Sequence, residues 1–203
     1  MTADRPNPSG DVLVASLRDY YRRRAAGESP RLEDYADSVG HQLPELEKLV
    51  GAGSSEEGST ALPRTFDHFV LIEELGSGAM GVVYEAFDRE LERVVALKIL
   101  KGGLDSDAED RGRFAAETKA VARVRHPSIV EVYGHGEAEG HLYFSMSLVE
   151  GPTLAELVEI RRAPLSVEEA TLGGKQIAEA LAALHGAGVI HRDIKPENIM
   201  VDP

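Results

Sequence analysis

Residues 75–83 read LGSGAMGVV, and the strand-like run directly after these glycines narrows the possible folds more than any other stretch of the chain. Glycines at 76, 78 and 81 let backbone amides approach phosphate oxygens with no Cβ in the way. A dinucleotide-binding fingerprint with this spacing must follow a strand and open a helix, so that the helix N-terminus faces the pyrophosphate. Here the next residues are VVYEAFD, whose alternating β-branched and aromatic side chains predict a second strand. The loop therefore joins two antiparallel strands. Taken alone the pattern fits either a flap over bound phosphates or an ordinary glycine-rich hairpin turn. A Walker-type loop is excluded because no GK[ST] follows.

The runs FVLIEEL, GVVYEAFD and RVVALKIL predict a β-meander from Phe66 onward. A helix is expected over 106–125, capped by Ser106 or Asp107, with acids in its opening turns. IVEVYGH and LYFSMSLV, separated by GEAEG, predict a further hairpin. Thr153 with Glu156, and Ser166 with Glu169, form capping-box patterns that each start a helix. The second helix is stopped by Gly186 and Gly188, while Gly173 and Gly174 inside it argue against its continuity. Upstream, residues 1–10 are expected to be disordered and 11–50 to form a short helical leader. In that leader Asp11 caps a first helix, a second ends near Gly40, and Pro44 sits in the first turn of a third. The Gly/Ser-rich stretch from 51 to 64 reads as a linker.

Composition removes several function classes. The chain of 203 residues has 22 basic and 35 acidic residues, a formal net charge of −13, so no nucleic-acid partner is expected. With no cysteine it has no disulfide, thiolate metal site or cysteine nucleophile. Its start lacks the basic and apolar regions of a signal peptide, and no run approaches the ~18 apolar residues that span a bilayer. No membrane segment and a cytoplasmic location are the expectations; oligomeric state is not legible.

Lys98 lies inside the apolar run VVALKIL, on the same strand face as Ala96 and Leu100. On the expected helix, Phe114, Glu117, Val121 and Val124 share one face, which Glu117 interrupts with a carboxylate. Lys98 is either a snorkelling edge lysine or the cation that Glu117 meets.

At HRDIKPEN, residues 191–198, the chain resembles the protein kinase family, in particular the bacterial serine/threonine kinases. The glycine loop, the VALK strand, the helix glutamate followed by RHPSIV, and HRDIKPEN occur in that family's order. The resemblance covers about residues 66–203. It implies an α+β fold: a kinase-like N-terminal lobe of antiparallel sheet and one helix over 65–149, then the first helices of the C-terminal lobe over 150–203, all preceded by the leader. It implies ATP and Mg²⁺ as cofactors and protein Ser/Thr hydroxyls as substrates. Gly76, Ser77, Gly78, Ala79, Met80, Gly81, Val82 and Val83 would form the phosphate flap, with Leu75 also binding the nucleotide and Val83 and Ala96 against adenine. Met146 would sit beside the adenine pocket, and the backbone from Ser147 to Val149 would hydrogen-bond its edge. Lys98, oriented by Glu117, would contact the α and β phosphates. Asp193 would accept or orient the substrate's hydroxyl proton, Lys195 would neutralise the transferring phosphoryl group, and Asn198 would hold Mg²⁺. His191 and Arg192 would be structural.

The family pattern continues with a DFG triplet, an activation loop and an APE segment, none of which is among these residues. The expectation is therefore a fragment ending after the catalytic loop, with weak or no transfer activity. A non-catalytic nucleotide-binding or scaffold module is the alternative. A nicotinamide-binding domain is disfavoured by the strand after Gly81.

Overall fold

Alternation in GVVYEAFD and RVVALKIL produces two eight-residue strands that pair antiparallel in an unbroken register from Gly81 opposite Leu100 to Asp88 opposite Arg93. The computed structural model describes residues 8–51, 62–78, 81–101 and 120–202. Its strands are β1 (Arg64–Phe66), β2 (Phe69–Ser77), β3 (Gly81–Asp88), β4 (Arg93–Leu100), β5 (Val132–Ala138) and β6 (His141–Met146), and they form one sheet in the order β1-β2-β3-β4-β6-β5. The expected meander is present, and the short β1 extends it beyond what alternation indicated. The chain divides into two compact units. The first holds the leader, β1 to β4 and the tip of the β5–β6 hairpin, and the second holds the rest.

In the leader, α1 (Pro8–Ala25) begins three residues ahead of the expected Asp11 cap. That start is tolerated because a proline's missing N–H costs nothing in a first helical turn. So Pro8–Gly10, expected to be disordered, are helical. A 3-10 turn over Leu32–Tyr35 and α2 (Ala36–Val39) end at Gly40, and α3 (Leu43–Gly51) carries Pro44 in its first turn. Residues 52–61 of the expected linker lie outside the described residues.

The leader and the sheet share one apolar core. Leu13, Leu17, Tyr20 and Tyr21 of α1, with Leu46 and Leu49 of α3, pack against Val70, Ile72 and Phe87 of the sheet. Tyr21 stacks on Phe87 with ring centroids 4.0 Å apart and planes 18° apart. The carbonyl of Leu49, in the last turn of α3, accepts from the Tyr21 hydroxyl at 3.1 Å and from Arg89 at 2.6 Å. The guanidinium thus satisfies a helix-end carbonyl and complements the helix dipole. A β-bulge between Leu71 and Glu73 turns both Ile72 and Glu73 toward the leader.

The β5–β6 hairpin turns over two residues rather than the five of GEAEG. Glu139 and Gly140 both take positive φ, which matches the twist of the paired strands. Below the turn, a Cβ on Gly136 would lie 2.5 Å from the Tyr143 hydroxyl, so only glycine leaves room for that ring. The hydroxyl donates to Asp67 at 2.7 Å, and burial followed by this bond pushes its pKa well above the ordinary tyrosine value.

In the second unit both capping boxes form as expected. They open α4 (Leu154–Arg161) at Thr153 and α5 (Val167–Gly186) at Ser166. α5 runs through Gly173 and Gly174 without a break, and Gly188, at φ +77, closes it as the Val189 N–H reaches back to the Leu184 carbonyl at 2.9 Å. Of the helix expected over 106–125, residues 102–119 lie outside the described residues. Ala120 and Val121 are helical and the chain turns at 122–123, before the expected end.

If leader and sheet are one core, truncating the wholly buried Leu46 should destabilise both together. Leu46→Ala is expected to lose about 2–5 kcal/mol, and Val12→Ala, at a half-exposed position, no more than about 0.5 kcal/mol. Urea unfolding followed by tyrosine fluorescence and by far-ultraviolet dichroism, with coincident shifts in the two signals, checks this.

Candidate functional site

The glycine loop is a hairpin connection. β2 ends at Ser77, β3 starts at Gly81, and the Gly78 N–H donates to the Gly81 carbonyl at 2.9 Å. The glycines are there for different reasons. At Gly81 a Cβ would fall 2.3 Å from the Ile99 carbonyl oxygen, so the approach of β4 forbids any side chain. At Gly76 and Gly78 a Cβ would meet no atom within 4 Å, so packing among the described residues does not demand glycine. Ala79 and Met80 lie outside the described residues.

Directly opposed residues of antiparallel strands share a face. Val83 is opposite Lys98, and Glu85 is opposite Ala96, so Val83, Ala96 and Lys98 project from one side of the sheet. A second bulge in β2, between Glu74 and Gly76, makes Leu75 the extra residue and leaves it half exposed beside Gly76, which opposes Val83. Val82 pairs with Ile99 and points to the other face. Ser77, directly opposite Val82, shares that face, so among the described flap residues the sheet turns both side chains away from Val83. Glu117, the expected partner of Lys98, lies outside the described residues.

One contact here carries no motif. The Lys101 ammonium, one residue past β4, donates to the Gly78 carbonyl at 2.9 Å and ties the loop to the neighbouring strand. The only sequence signal is register: Leu100 is the partner of Gly81, so the next side chain falls beside the loop.

In the second unit, Asp193, Lys195 and Asn198 converge. Lys195 is extended, and Pro196 opens a single 3-10 turn ending at Asn198, which folds the amide back on the aspartate. The Asn198 side-chain N–H₂ donates to the Asp193 carbonyl at 2.9 Å and to its carboxylate at 2.8 Å; the Lys195 ammonium is 3.1 Å from the same carboxylate oxygen. Lys195 first, and Asn198 second, hold the Asp193 carboxyl below its ordinary range. Arg192 has φ +63, an unusual conformation for a residue with a side chain, which turns the loop sharply just before the aspartate. The loop is strapped to the start of α4: the Leu154 N–H donates to the Ile199 carbonyl at 2.7 Å, and the Val201 N–H to the Pro152 carbonyl at 2.9 Å.

Met146 ends β6 and is half-buried. The Ser147 N–H donates to the Glu131 carbonyl at 2.8 Å, and the Ser147 hydroxyl accepts from the Glu131 N–H at 3.2 Å. Among the described residues, these bonds engage the Ser147 N–H and hydroxyl but not its carbonyl.

Residues 69–203 match the family described as protein kinase domain. The chain is 40% identical over 153 residues to the serine/threonine-protein kinase PknE of Mycobacterium tuberculosis, covering 75% of this chain and 26% of that protein. It is 43% identical over 130 residues to the serine/threonine-protein kinase pkn3 of Myxococcus xanthus, covering 64% of this chain and 24% of that one. It thus spans about a quarter of the length of these curated relatives. The crystal structure of the Mycobacterium tuberculosis PknI kinase domain superposes with a TM-score of 0.64 at 34% identity, over 71% of this chain and 58% of that one.

Since Lys195 contributes more than Asn198 to the low Asp193 pKa, Lys195→Met should raise it further than Asn198→Ala. Titration of the Asp193 carboxyl carbon by NMR reads both, and equal shifts would contradict the assigned order of causes.

Proposed function

This chain belongs to the protein kinase family, and on that premise we propose that its residues serve transfer of the γ-phosphoryl group of ATP to serine and threonine hydroxyls of protein substrates. The observation that carries the reading is the convergence of Asn198 and Lys195 on the Asp193 carboxylate, at 2.8 and 3.1 Å. Phosphoryl transfer asks mainly for positioning and neutralisation of spread negative charge, and a carboxylate, an ammonium and a side-chain amide supply both.

The donor set suits Mg²⁺. With its N–H₂ held by Asp193, Asn198 keeps its amide oxygen for a hard cation, which takes oxygen ligands. When bound, the ion would neutralise phosphate charge. Asp193, kept ionised by Lys195, orients a substrate hydroxyl and accepts its proton as the phosphoryl group is transferred. Lys195 would offset charge on that group.

In the first unit, Leu75, Val83 and Ala96 would lie against the adenine and Lys98 would hold the α and β phosphates. The backbone around Gly76 and Gly78, where no atom of the described residues lies within 4 Å of a Cβ position, would approach phosphate oxygens. Glu117 remains the proposed partner of Lys98. In the second unit the Ser147 carbonyl and the backbone up to Val149 would meet the adenine edge, with Met146 beside them. The carboxylate of a DFG triplet, which would complete the metal site, is not among the 203 residues, so these residues alone are expected to bind nucleotide better than they turn it over. No helix among the described residues is long and apolar enough to cross a membrane, and the cytoplasm, where ATP is abundant, is the proposed location.

Mg²⁺ with ATP is expected to raise the melting temperature of the chain, NAD is expected to leave it unchanged, and Lys98→Met should abolish most of the ATP effect. Labelled-ATP transfer to a generic protein substrate should be weak and lost in Asp193→Asn. Robust transfer that survives Asp193→Asn would overturn the assignment, and binding with no transfer at all would favour a scaffold.

A further inference from the structure

The register of β2 against β3 contains a defect that the first unit repairs from outside the sheet. Glu73 on β2 is directly opposite Glu85 on β3. Like charges at opposed positions destabilise a strand pair, and here one of the two acids is buried: Glu85 is 3% exposed. A buried carboxylate beside a second carboxylate forces the strands apart unless a cation lies between them.

The leader provides it. Arg18 of α1 bonds both acids: its Nε donates to Glu85 at 2.8 Å and its Nη2 to Glu73. Arg22, one turn on, reaches the other Glu85 oxygen at 3.5 Å. A forked guanidinium can hold two carboxylates at once, which a point-like ammonium does less well. The pair it closes is not a remote part of the sheet. Glu85 shares a face with Ala96 and is two residues from Val83, and Glu73 precedes the bulge at Leu75 and the glycine loop. Tyr21, stacked on Phe87, holds α1 over the same stretch of β3.

We propose that Arg18 is a positioning residue for the nucleotide-binding hairpin, and that docking of the leader sets how tightly β2 and β3 close between Glu73 and Glu85 and where Gly78 meets Gly81. With the leader docked the two acids are bridged and Gly78 stays bonded to Gly81. With the leader released, or its arginine lost, repulsion between Glu73 and Glu85 opens the hairpin and loosens the grip on phosphate. The loosened grip rests on the nucleotide reading of the glycine loop; the opening of the hairpin does not.

The test uses the full chain. Exchange of the Gly78 amide proton, which bonds the Gly81 carbonyl, reports hairpin closure without any ligand. Arg18→Met should accelerate it about tenfold, and Arg18→Met with Glu85→Gln should return most of the protection, because the second change removes the repulsion that the first exposed. Arg18→Lys, which keeps the charge and the fold but not the fork, should fall between wild type and Arg18→Met. Mg-ATP dissociation constants should follow the same order. Unchanged Gly78 exchange in both Arg18 variants, or a double variant no better protected than Arg18→Met, would overturn the proposal, since loss of simple packing is not restored by neutralising an acid. If the wild-type chain binds no Mg-ATP, the nucleotide reading fails while the amide exchange still decides the role of Arg18.

Discussion

The architecture of the first unit depends on one close approach, that of the β4 backbone to Gly81. A Cβ there would overlap the Ile99 carbonyl, so β3 and β4 come together at this point only through glycine. That approach starts the register which sets Val83 opposite Lys98 and Glu85 opposite Ala96. Because side chains alternate along a strand, a slip of one residue would send Lys98 to the other side of the sheet. The third glycine of the loop is thus a packing residue, while packing among the described residues does not demand the first two. One motif combines two physical demands that its spacing does not separate.

The second unit reaches its geometry by local means. The 3-10 turn begun by Pro196 brings Asn198 back to Asp193, and the strap to the start of α4 holds the loop on both sides. Thr153 caps α4 and also bridges Met200, so the residue that begins the helix anchors the chain leaving the loop. Cap, helix and loop form one short-range assembly, in contrast to the long-range pairing that organises the sheet.

Much of this was legible in the sequence, and the parts that were not share a cause. The three strands around the glycine loop were visible because alternation is local, as were both helix caps in the second unit, whose partners lie three residues apart. HRDIKPEN carried the family resemblance because its spacing is fixed over eight residues, and its Asp193, Lys195 and Asn198 do converge. By contrast β1 is too short to show a period, and the two-residue turn at Glu139 and Gly140 was hidden by the extra glycine at 136. The leader was legible as helices but not as part of the sheet's core, because nothing in its own periodicity says what its apolar face covers. Nothing in the run GVVYEAFD singles out Glu85; only the third dimension sets it beneath α1, across from Glu73. Lys101 follows no motif, and its contact with Gly78 is a product of register alone. The pairing of Lys98 with Glu117 lies outside the described residues and stands where the sequence left it.

The tip of the β5–β6 hairpin has a consequence for how this chain can change over generations. The ring of Tyr143 occupies the room that glycine leaves at 136, and its hydroxyl serves Asp67 at the β1–β2 turn. Any larger residue at 136 evicts the ring, and any smaller residue at 143 leaves a gap above the glycine and strips the aspartate of a donor. Neither site can drift by itself. A lineage departs from this arrangement only through paired substitution, so the two columns should covary among sequences that keep the hairpin.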